Sequence, residues 1–334
     1  MTSLATALAP RASVARPDRS ANQPRDNAAN QIADSKLNSS LMSFARAILA
    51  LSRPARLPAI WSNCLAGWWL GGGGNGSKLP FLFAGATLLH LGGAFLNDAF
   101  DAEFDQLRRP GRPIASGAIP LGTVWRSGLT CLVLGALLLL IADRLAGGIG
   151  LAIVLLIILY NSTHRLLGFS PVLQGLVRFF LYVLGASVAE HGVTGSALWC
   201  GLALAIYMTG LGYLARWQDS PGKAPAWPAA LLVTPILLAL LMDVGRYREP
   251  ALLLSALLIL WGLRAWRRGF WALERNLPQA VADLGAGIVF VDWLATCPIT
   301  SVGSQSYYAP RELSYAFIAL LIGTLLLQRA VPER

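Results

Sequence analysis

Apolar residues along this chain are grouped into long continuous blocks, unlike the regular spacing of half-buried strands and surface helices. The stretches 131–141 (CLVLGALLLLI) and 151–160 (LAIVLLIILY) are two examples. With their neighbours, such blocks reach the ~20 residues that a helix needs to cross a bilayer. The candidate spans are 57–74, 80–98, 124–142, 146–163, 172–189, 196–215, 227–243, 250–266, 280–297 and 312–328.

The pattern therefore predicts an all-α fold, a polytopic transmembrane helical bundle of nine to ten spans. The count is nine or ten because Asp283 and Asp292 interrupt the stretch 280–297. Residues 41–53 are short and amphipathic, which is typical of an interfacial helix. Residues 1–40 have no apolar core, so we expect a disordered cytoplasmic tail before a membrane domain that covers 41–330.

Charge is scarce in this chain and unevenly distributed. Only 13% of the residues are charged, against ~25% in an average soluble domain, which excludes an ordinary soluble enzyme. The 27 lysines and arginines exceed the 17 acidic residues and give a net charge of +10. Most of these basic residues fall in alternate loops, as the positive-inside rule expects for a cytoplasmic N-terminus. We therefore expect an integral protein of a bacterial inner membrane, with no nucleic-acid partner.

Acidic residues cluster where the second candidate span leaves the membrane. Asp98, Asp101 and Asp105 fall within ~60° of one another on a helix, and Asn97 lies one turn before Asp101. Ionised side chains are costly in lipid, so these groups must face a polar cavity or share a cation. Carboxylate and amide oxygens suit a hard ion such as Mg²⁺, which proteins commonly share with substrate phosphates.

Basic residues follow the acidic cluster on the same loop. Arg108, Arg109 and Arg112 offer planar donors that match phosphate oxygens. The neighbouring acidic and basic groups favour a site for Mg²⁺ and a diphosphate. The alternative is an acidic helix end that faces a loop with ordinary positive-inside arginines.

The string Asn97-Asp98-x-x-Asp101-x-x-x-Asp105 resembles the NDxxDxxxD motif of the UbiA superfamily of intramembrane prenyltransferases. Three other segments resemble that family in the expected order: Arg53-Pro54 with Asn63, the stretch 109–117 (RPGRPIASG), and the stretch 160–165 (YNSTHR). Within the superfamily the chain most resembles the EboC-type branch. The resemblance implies a helical bundle whose central cavity opens on the cytoplasmic side.

The same resemblance implies Mg²⁺-dependent transfer of a prenyl group from an isoprenoid diphosphate to an acceptor within the membrane. The acceptor stays unidentified, because nothing in the sequence selects it. The metal ligands would be Asn97, Asp98, Asp101 and Asp105, and the catalytic carboxylates Asp98, Asp101, Asp105 and Asp219. Substrate binding would fall to Asn63, Arg109, Arg112, Tyr160, Arg165 and Arg216.

The sequence departs from the family pattern in its second aspartate motif. Only Asp219 remains there, and Arg216 and Lys223 add positive charge. His164 also stands where the family often has lysine. These departures leave an alternative open, a non-catalytic carrier of an isoprenoid diphosphate or lipid that kept the first motif.

Polar residues inside other spans have open interpretations. Arg178 has no acidic neighbour in sequence, so it is either functional or extends to the cytoplasmic surface. Asn63 either binds a polar group in the cavity or bonds a neighbouring backbone. His90 shares the helix face of the acidic cluster and is interpreted first as an interhelical hydrogen bond.

Overall fold

The computed structural model describes residues 44–74, 76–217, 227–242, 248–271, 276–297, 300–302, 305–307 and 309–331. The chain forms two compact units, Met1–Arg46 and Ala47–Arg334. Only residues 44–46 of the first unit are described, so the predicted tail over 1–40 lies outside the described residues.

Helices form almost all of the described structure, which confirms the predicted all-α class. They are α1 (44–52), α2 (Leu57–Leu70), α3 (Leu79–Phe100), α4 (Ala102–Arg108), α5 (Leu121–Ala142), α6 (Arg144–Thr163), α7 (Ser170–Ser187), α8 (Gly195–Arg216), α9 (Trp227–Leu231), α10 (Thr234–Met242), α11 (Arg248–Trp266), α12 (Leu277–Ala286), α13 (Ile288–Ala295) and α14 (Arg311–Ala330). Two three-residue strands, Thr300–Val302 and Gln305–Tyr307, pair antiparallel before α14.

Eight helices in the described part of the chain are long and apolar enough to cross a bilayer. They correspond to eight of the ten candidate spans. The first candidate is the 14-residue helix α2, and the seventh is the shorter apolar stretch Trp227–Met242. At 1.5 Å per residue, α2 is ~21 Å long, which is less than the ~30 Å hydrocarbon core.

The span interrupted by Asp283 and Asp292 is present as α12 and α13, which follow one another across Gly287. Both aspartates point inward, with 7% and 0% of their surface exposed. Their burial explains how an apolar span carries two acidic residues, because neither of them meets lipid.

Close helix crossings set the shape of the bundle. Gly67 on α2 and Gly185 on α7 lie so close to the opposite helix that a Cβ on either would collide with a backbone carbonyl. Gly92 on α3 faces Gly128 on α5 in a similar way. Small residues at such crossings let backbones approach closely, as is usual for membrane helices.

The charged segment lies at one end of this bundle. Helices α3 and α6 both end there, and α5 begins there, since the three helices alternate in direction along α3–α5–α6. The connection at this end carries α4 and the loop 109–120, whereas α5 and α6 are joined at the other end by Asp143 alone. The fold therefore brings the acidic segment, the basic loop and the end of α6 together.

Candidate active site

The three predicted carboxylates converge because the helix continues through the junction between α3 and α4. Asp101 lies at that junction, where its N–H donates to the carbonyl of Asn97 and its own carbonyl accepts from the N–H of Asp105. The side chains of Asp98 and Asp105 are only 10% and 4% exposed. The predicted shared face is therefore present.

Arginines from two separate segments neutralise this face. Arg112 Nη1 lies 3.3 Å from Asp98 Oδ1 and 2.8 Å from Asp105 Oδ2, so that one nitrogen joins both carboxylates. Arg53 Nη2 lies 2.5 Å from Asp98 Oδ1. Arg53 is also the one described non-glycine residue with a positive φ, at 46°. Such a conformation costs ~1–3 kcal/mol and occurs frequently at functional sites.

The end of α6 supplies two basic side chains to the third carboxylate. His164 Nε2 and Arg165 Nη2 lie 3.1 Å and 2.7 Å from Asp101 Oδ1. The Arg165 guanidinium also lies 4.0 Å from the centre of the Phe104 ring. We call Asp98, Asp101 and Asp105 together with Arg53, Arg112, His164 and Arg165 the mouth cluster.

The pKa values of Asp101 and Asp105 are shifted in opposite directions. Burial acts to raise the pKa of Asp101, but the hydrogen bond from His164 and the charges of His164, Arg165 and Arg112 outweigh it, so the pKa is lowered. Burial raises the pKa of Asp105; Arg112 opposes this rise, while the charges of Asp101 and Asp98 add to it. The two carboxyl groups therefore differ in how strongly they hold a negative charge.

Arg216 lies at the mouth but is engaged with the protein. Its Nη1 donates to the carbonyl of Gly168, and its Nη2 donates to the carbonyls of His164 and Leu167 and to Ser170 Oγ, over distances of 2.5–2.9 Å. These bonds fix the turn between α6 and α7. The expectation that Arg216 binds phosphate stays a prediction; in the structure Arg216 holds the turn that carries His164 and Arg165.

A cavity of about 290 Å³ lies beside the mouth cluster and extends between α2, α3, α6, α7 and α8. Arg53 and Asn97 belong both to its lining and to the mouth region, and Tyr160 also lines it. The Tyr160 ring stacks on His164 at 5.3 Å. Its apolar wall includes Ile60, Leu89, Ile153, Ile157 and Leu181.

Asn63 belongs to a buried network instead of the cavity wall. It is 0% exposed; its Oδ1 accepts from Arg178 Nη1 at 2.6 Å, and its Nδ2 donates to Asp292 Oδ2 at 2.7 Å. Tyr182 and Ser62 also donate to Asp292. Both ends of the Asn63 amide are thus occupied by protein groups, and direct contact of Asn63 with a substrate stays a prediction.

The remaining predicted residues have different positions. Asn97 Nδ2 donates to Asp101 Oδ2 at 3.2 Å, as its spacing predicts. Arg109 is exposed on the loop that follows α4. Asp219 lies outside the described residues.

Arg53 had no predicted role, and His164 was predicted only as a departure from the family pattern. Both contact a motif carboxylate in the structure. The signal for Arg53 was its position before Pro54 at the opening of the first span. No spacing rule relates it to Asp98, which is 45 residues away.

The donor chemistry of the mouth cluster suits Mg²⁺ only in a shared site. In the described part of the chain, no three acidic, histidine or cysteine side chains are grouped closely enough to hold a metal. Mg²⁺ usually takes one or two carboxylates and completes its shell with water and substrate phosphates. The residues therefore fit an ion shared with a diphosphate, and they do not fit a site made of protein ligands alone.

Fold and site together define an intramembrane helical bundle with a charged mouth that can bind phosphate. The model of the UbiA prenyltransferase family matches residues 57–288. The chain belongs to this family, as the motif predicted, and the enzyme class is confirmed at the level of the family. This membership and the eight apolar helices in the described part of the chain identify an integral membrane protein. The EboC-type branch stays a prediction.

Curated relatives match over part of their length. Digeranylgeranylglyceryl phosphate synthases of Methanoregula boonei and Methanosarcina mazei are 30% and 33% identical over 117 and 121 residues. These matches cover 35% and 34% of this chain, and 42% and 41% of the relatives. The apo structure of a UbiA homolog from Aeropyrum pernix K1 aligns with a TM-score of 0.57 at 17% identity. It covers 71% of this chain and 96% of that one, and shows likeness of fold.

Proposed function

We propose that this protein transfers a prenyl group from an isoprenoid diphosphate to an acceptor within the membrane, with Mg²⁺. The observation that carries the proposal is the mouth cluster, where three carboxylates and four basic side chains meet beside a cavity with an apolar wall. An allylic diphosphate has the matching shape, since its charged head suits the mouth and its hydrocarbon chain suits the wall.

The residues at the mouth would hold the diphosphate. Asp98, Asp101, Asp105 and Asn97 are the proposed Mg²⁺ ligands, and Arg109, Arg112 and Arg165 the proposed phosphate donors. When bound, Mg²⁺ would neutralise the charge that develops on the leaving diphosphate. Arg112 and Arg165 now pair with the carboxylates, so a bound diphosphate would offer these guanidinium groups a second anion. Asp219 keeps its proposed catalytic role only from the sequence.

Bond making and breaking would take place at the boundary between the mouth and the cavity. The bond between the first prenyl carbon and oxygen breaks, and its electron pair leaves with the diphosphate. The acceptor supplies the pair for the new bond and releases a proton to water. Tyr160, which is stacked on His164, would face the positive prenyl carbons with its ring. The apolar wall would exclude water from these carbons.

We also propose an orientation and a membrane. The distribution of basic residues supports a cytoplasmic mouth and a cytoplasmic N-terminus in a bacterial inner membrane. The two curated relatives reported above are archaeal. As digeranylgeranylglyceryl phosphate synthases, these relatives suggest glycerol phosphate lipids as one class of acceptor among several that we would test.

The test uses membranes that carry the full chain or its Asp101→Ala variant, with Mg²⁺ and radiolabelled geranyl, farnesyl or geranylgeranyl diphosphate. We expect label to enter a lipid product with the natural chain, and to fall about a hundredfold or more with the variant. Unchanged transfer by Asp101→Ala would overturn the assignment. Mg²⁺-dependent binding of the diphosphate without turnover over a broad acceptor panel would favour the carrier instead.

A further inference from the structure

The deepest cation of the cavity is Arg178, which the proposed reaction does not use. It lies eight residues into α7, which places it ~12 Å along the helix from Ser170 at the mouth end. Only 7% of its surface is exposed, and it lines the cavity with His90 and Gln174. A guanidinium at such a depth is costly without a partner.

The neighbouring helices hold this arginine in place through one nitrogen. Arg178 Nη1 donates to the carbonyl of Ala59 at 3.2 Å and to Asn63 Oδ1 at 2.6 Å. Asn63 in turn donates to Asp292, which also accepts from Tyr182 and Ser62. The nearest carboxylate thus reaches Arg178 only through an amide. Within the described residues, no carboxylate pairs directly with it.

Most donors of Arg178 therefore stay available to the cavity. A guanidinium carries five N–H groups, and the protein bonds described above all come from Nη1. A guanidinium that is fixed through one nitrogen and keeps its other N–H groups free is suited to an oxyanion.

We propose that Arg178, held by Asn63 and Asp292, anchors a carboxylate or phosphate of the acceptor inside the membrane-embedded part of the cavity. This inference rests on the proposed function, because the mouth cluster is reserved there for the diphosphate of the donor. The acceptor is then a molecule with an oxyanion at one end and its nucleophile towards the mouth. Asn63 and Asp292 are positioning residues, which act through Arg178.

The test measures oxyanion binding to the purified full chain in lipid nanodiscs, without any acceptor. The probes are benzoate and phenyl phosphate, and neutral benzamide is the matched reference. Each is titrated with Mg²⁺ and pyrophosphate present to fill the mouth, and again without them. Charge-assisted hydrogen bonds of this kind predict that at least one oxyanion binds about tenfold to a hundredfold more tightly than benzamide.

Variants assign that preference to one residue. Arg178→Gln should reduce the preference to less than about twofold, and Arg178→Lys should weaken it by about threefold or more. Gln174→Leu, one turn away in the same cavity, is the control and should keep the full preference. Pyrophosphate affinity should stay unchanged in all three variants, which separates this site from the mouth.

Several outcomes would overturn the inference. They are no preference in the natural chain, a preference that survives Arg178→Gln, or an equal loss in Gln174→Leu. If Arg178→Gln does not give a folded protein, an unchanged preference in Arg178→Lys overturns it as well. Failure of Mg²⁺ and pyrophosphate to bind the natural chain would instead count against the proposed function, while the arm without them still tests Arg178.

Discussion

The ion pairs at the two ends of α3 differ in exposure and in the number of partners. At the start of α3, Lys78 Nζ lies 3.1 Å from Asp143 Oδ2, and their side chains are 43% and 32% exposed. At the other end, Asp98 is 10% exposed and contacts both Arg53 and Arg112. One end has a single solvated pair, whereas the other has three carboxylates that are 4–13% exposed and share their basic partners.

The difference shows which charges serve stability and which serve a ligand. An exposed ion pair is worth ~0–1 kcal/mol, so the Lys78–Asp143 pair is a weak contact between two helix ends. Burying a carboxylate costs desolvation free energy, and even a well-placed cation rarely offsets that cost fully. A protein that concentrates three of them, next to a strained Arg53 backbone, gains little stability from doing so. We infer that ligand binding maintains the mouth cluster.

The largest effect should come from Asp98→Asn, which removes a charge shared by two arginines but keeps the shape of the side chain. Breaking a buried ion pair costs ~3–5 kcal/mol, because the remaining charges are left uncompensated. Asp98 is also a proposed Mg²⁺ ligand, and a bound Mg²⁺ would stabilise the charge on the leaving diphosphate by several kcal/mol, so we expect transfer of a radiolabelled prenyl group to fall about a hundredfold or more. The measurement is label in lipid product per unit of folded protein.

The matched control for Asp98→Asn is Asp143→Asn at the opposite end of α3. It removes an equal charge from the exposed pair, so transfer should stay within about twofold of the natural chain. An equal loss of transfer in both variants would remove the distinction between the two ends.

A smaller effect is expected from Arg216→Met, which deletes four hydrogen bonds to the turn that carries His164 and Arg165. Misplaced binding groups lower transfer, and we expect a fall of about tenfold. The rise in KM for the diphosphate should exceed the fall in kcat, because the turn positions phosphate donors. Arg216→Lys should recover part of the loss; a variant with only kcat reduced would contradict the positioning role.

A still smaller effect should follow Phe104→Leu, which removes the ring under Arg165. A cation–π contact at an exposed site is worth ~0.5–1 kcal/mol, so the affinity for an isoprenoid diphosphate should fall about twofold to fivefold. Phe104→Tyr keeps the aromatic face and is expected to bind like the natural chain. Equal affinity in both variants would show that Arg165 needs no support from the ring.

The face of the acidic motif could be predicted from the sequence, because its spacing is a local property of one helix. Asn97 bonds Asp101, and Asp98 and Asp105 share Arg112, as positions one and two turns apart predict. Helix existence was predictable for the same reason, since apolar block length is read directly from the chain.

The partners of this face could not be predicted in the same way. Arg53 and His164 reach the carboxylates through tertiary packing, which no spacing along one helix specifies. Asn63 and Arg216 were assigned to substrate by motif order, but their atoms are occupied by Arg178, Asp292 and backbone carbonyls. Sequence order identifies which residues meet near a site, and packing decides which of them stay available.

The smallest expected effect on transfer belongs to Asp143, which should change stability alone. Asp143 Oδ1 accepts from the N–H of Leu145 at the start of α6, and its other oxygen pairs with Lys78. Losing an N-cap costs ~0.5–2 kcal/mol, so Asp143→Ala should lower the free energy of unfolding by about 1 kcal/mol while transfer is kept. Asp143→Asn retains a capping oxygen and should lose less.

Lowering the pH should reduce the stability difference between the natural chain and Asp143→Ala. The hydrogen bond from Leu145 and the contact with Lys78 hold the pKa of Asp143 below its usual value. Because the folded-state pKa is the lower one, the stabilisation is present above the unfolded-state pKa of ~3.9 and is lost as pH falls through the folded-state pKa. The stability gap between the natural chain and Asp143→Ala should therefore narrow from pH 6 to pH 3. The gap between Asp143→Asn and Asp143→Ala should stay constant, since neither side chain titrates. A constant gap for the natural chain would mean that Asp143 stabilises the start of α6 without its charge. The ion pair with Lys78 would then add nothing to stability.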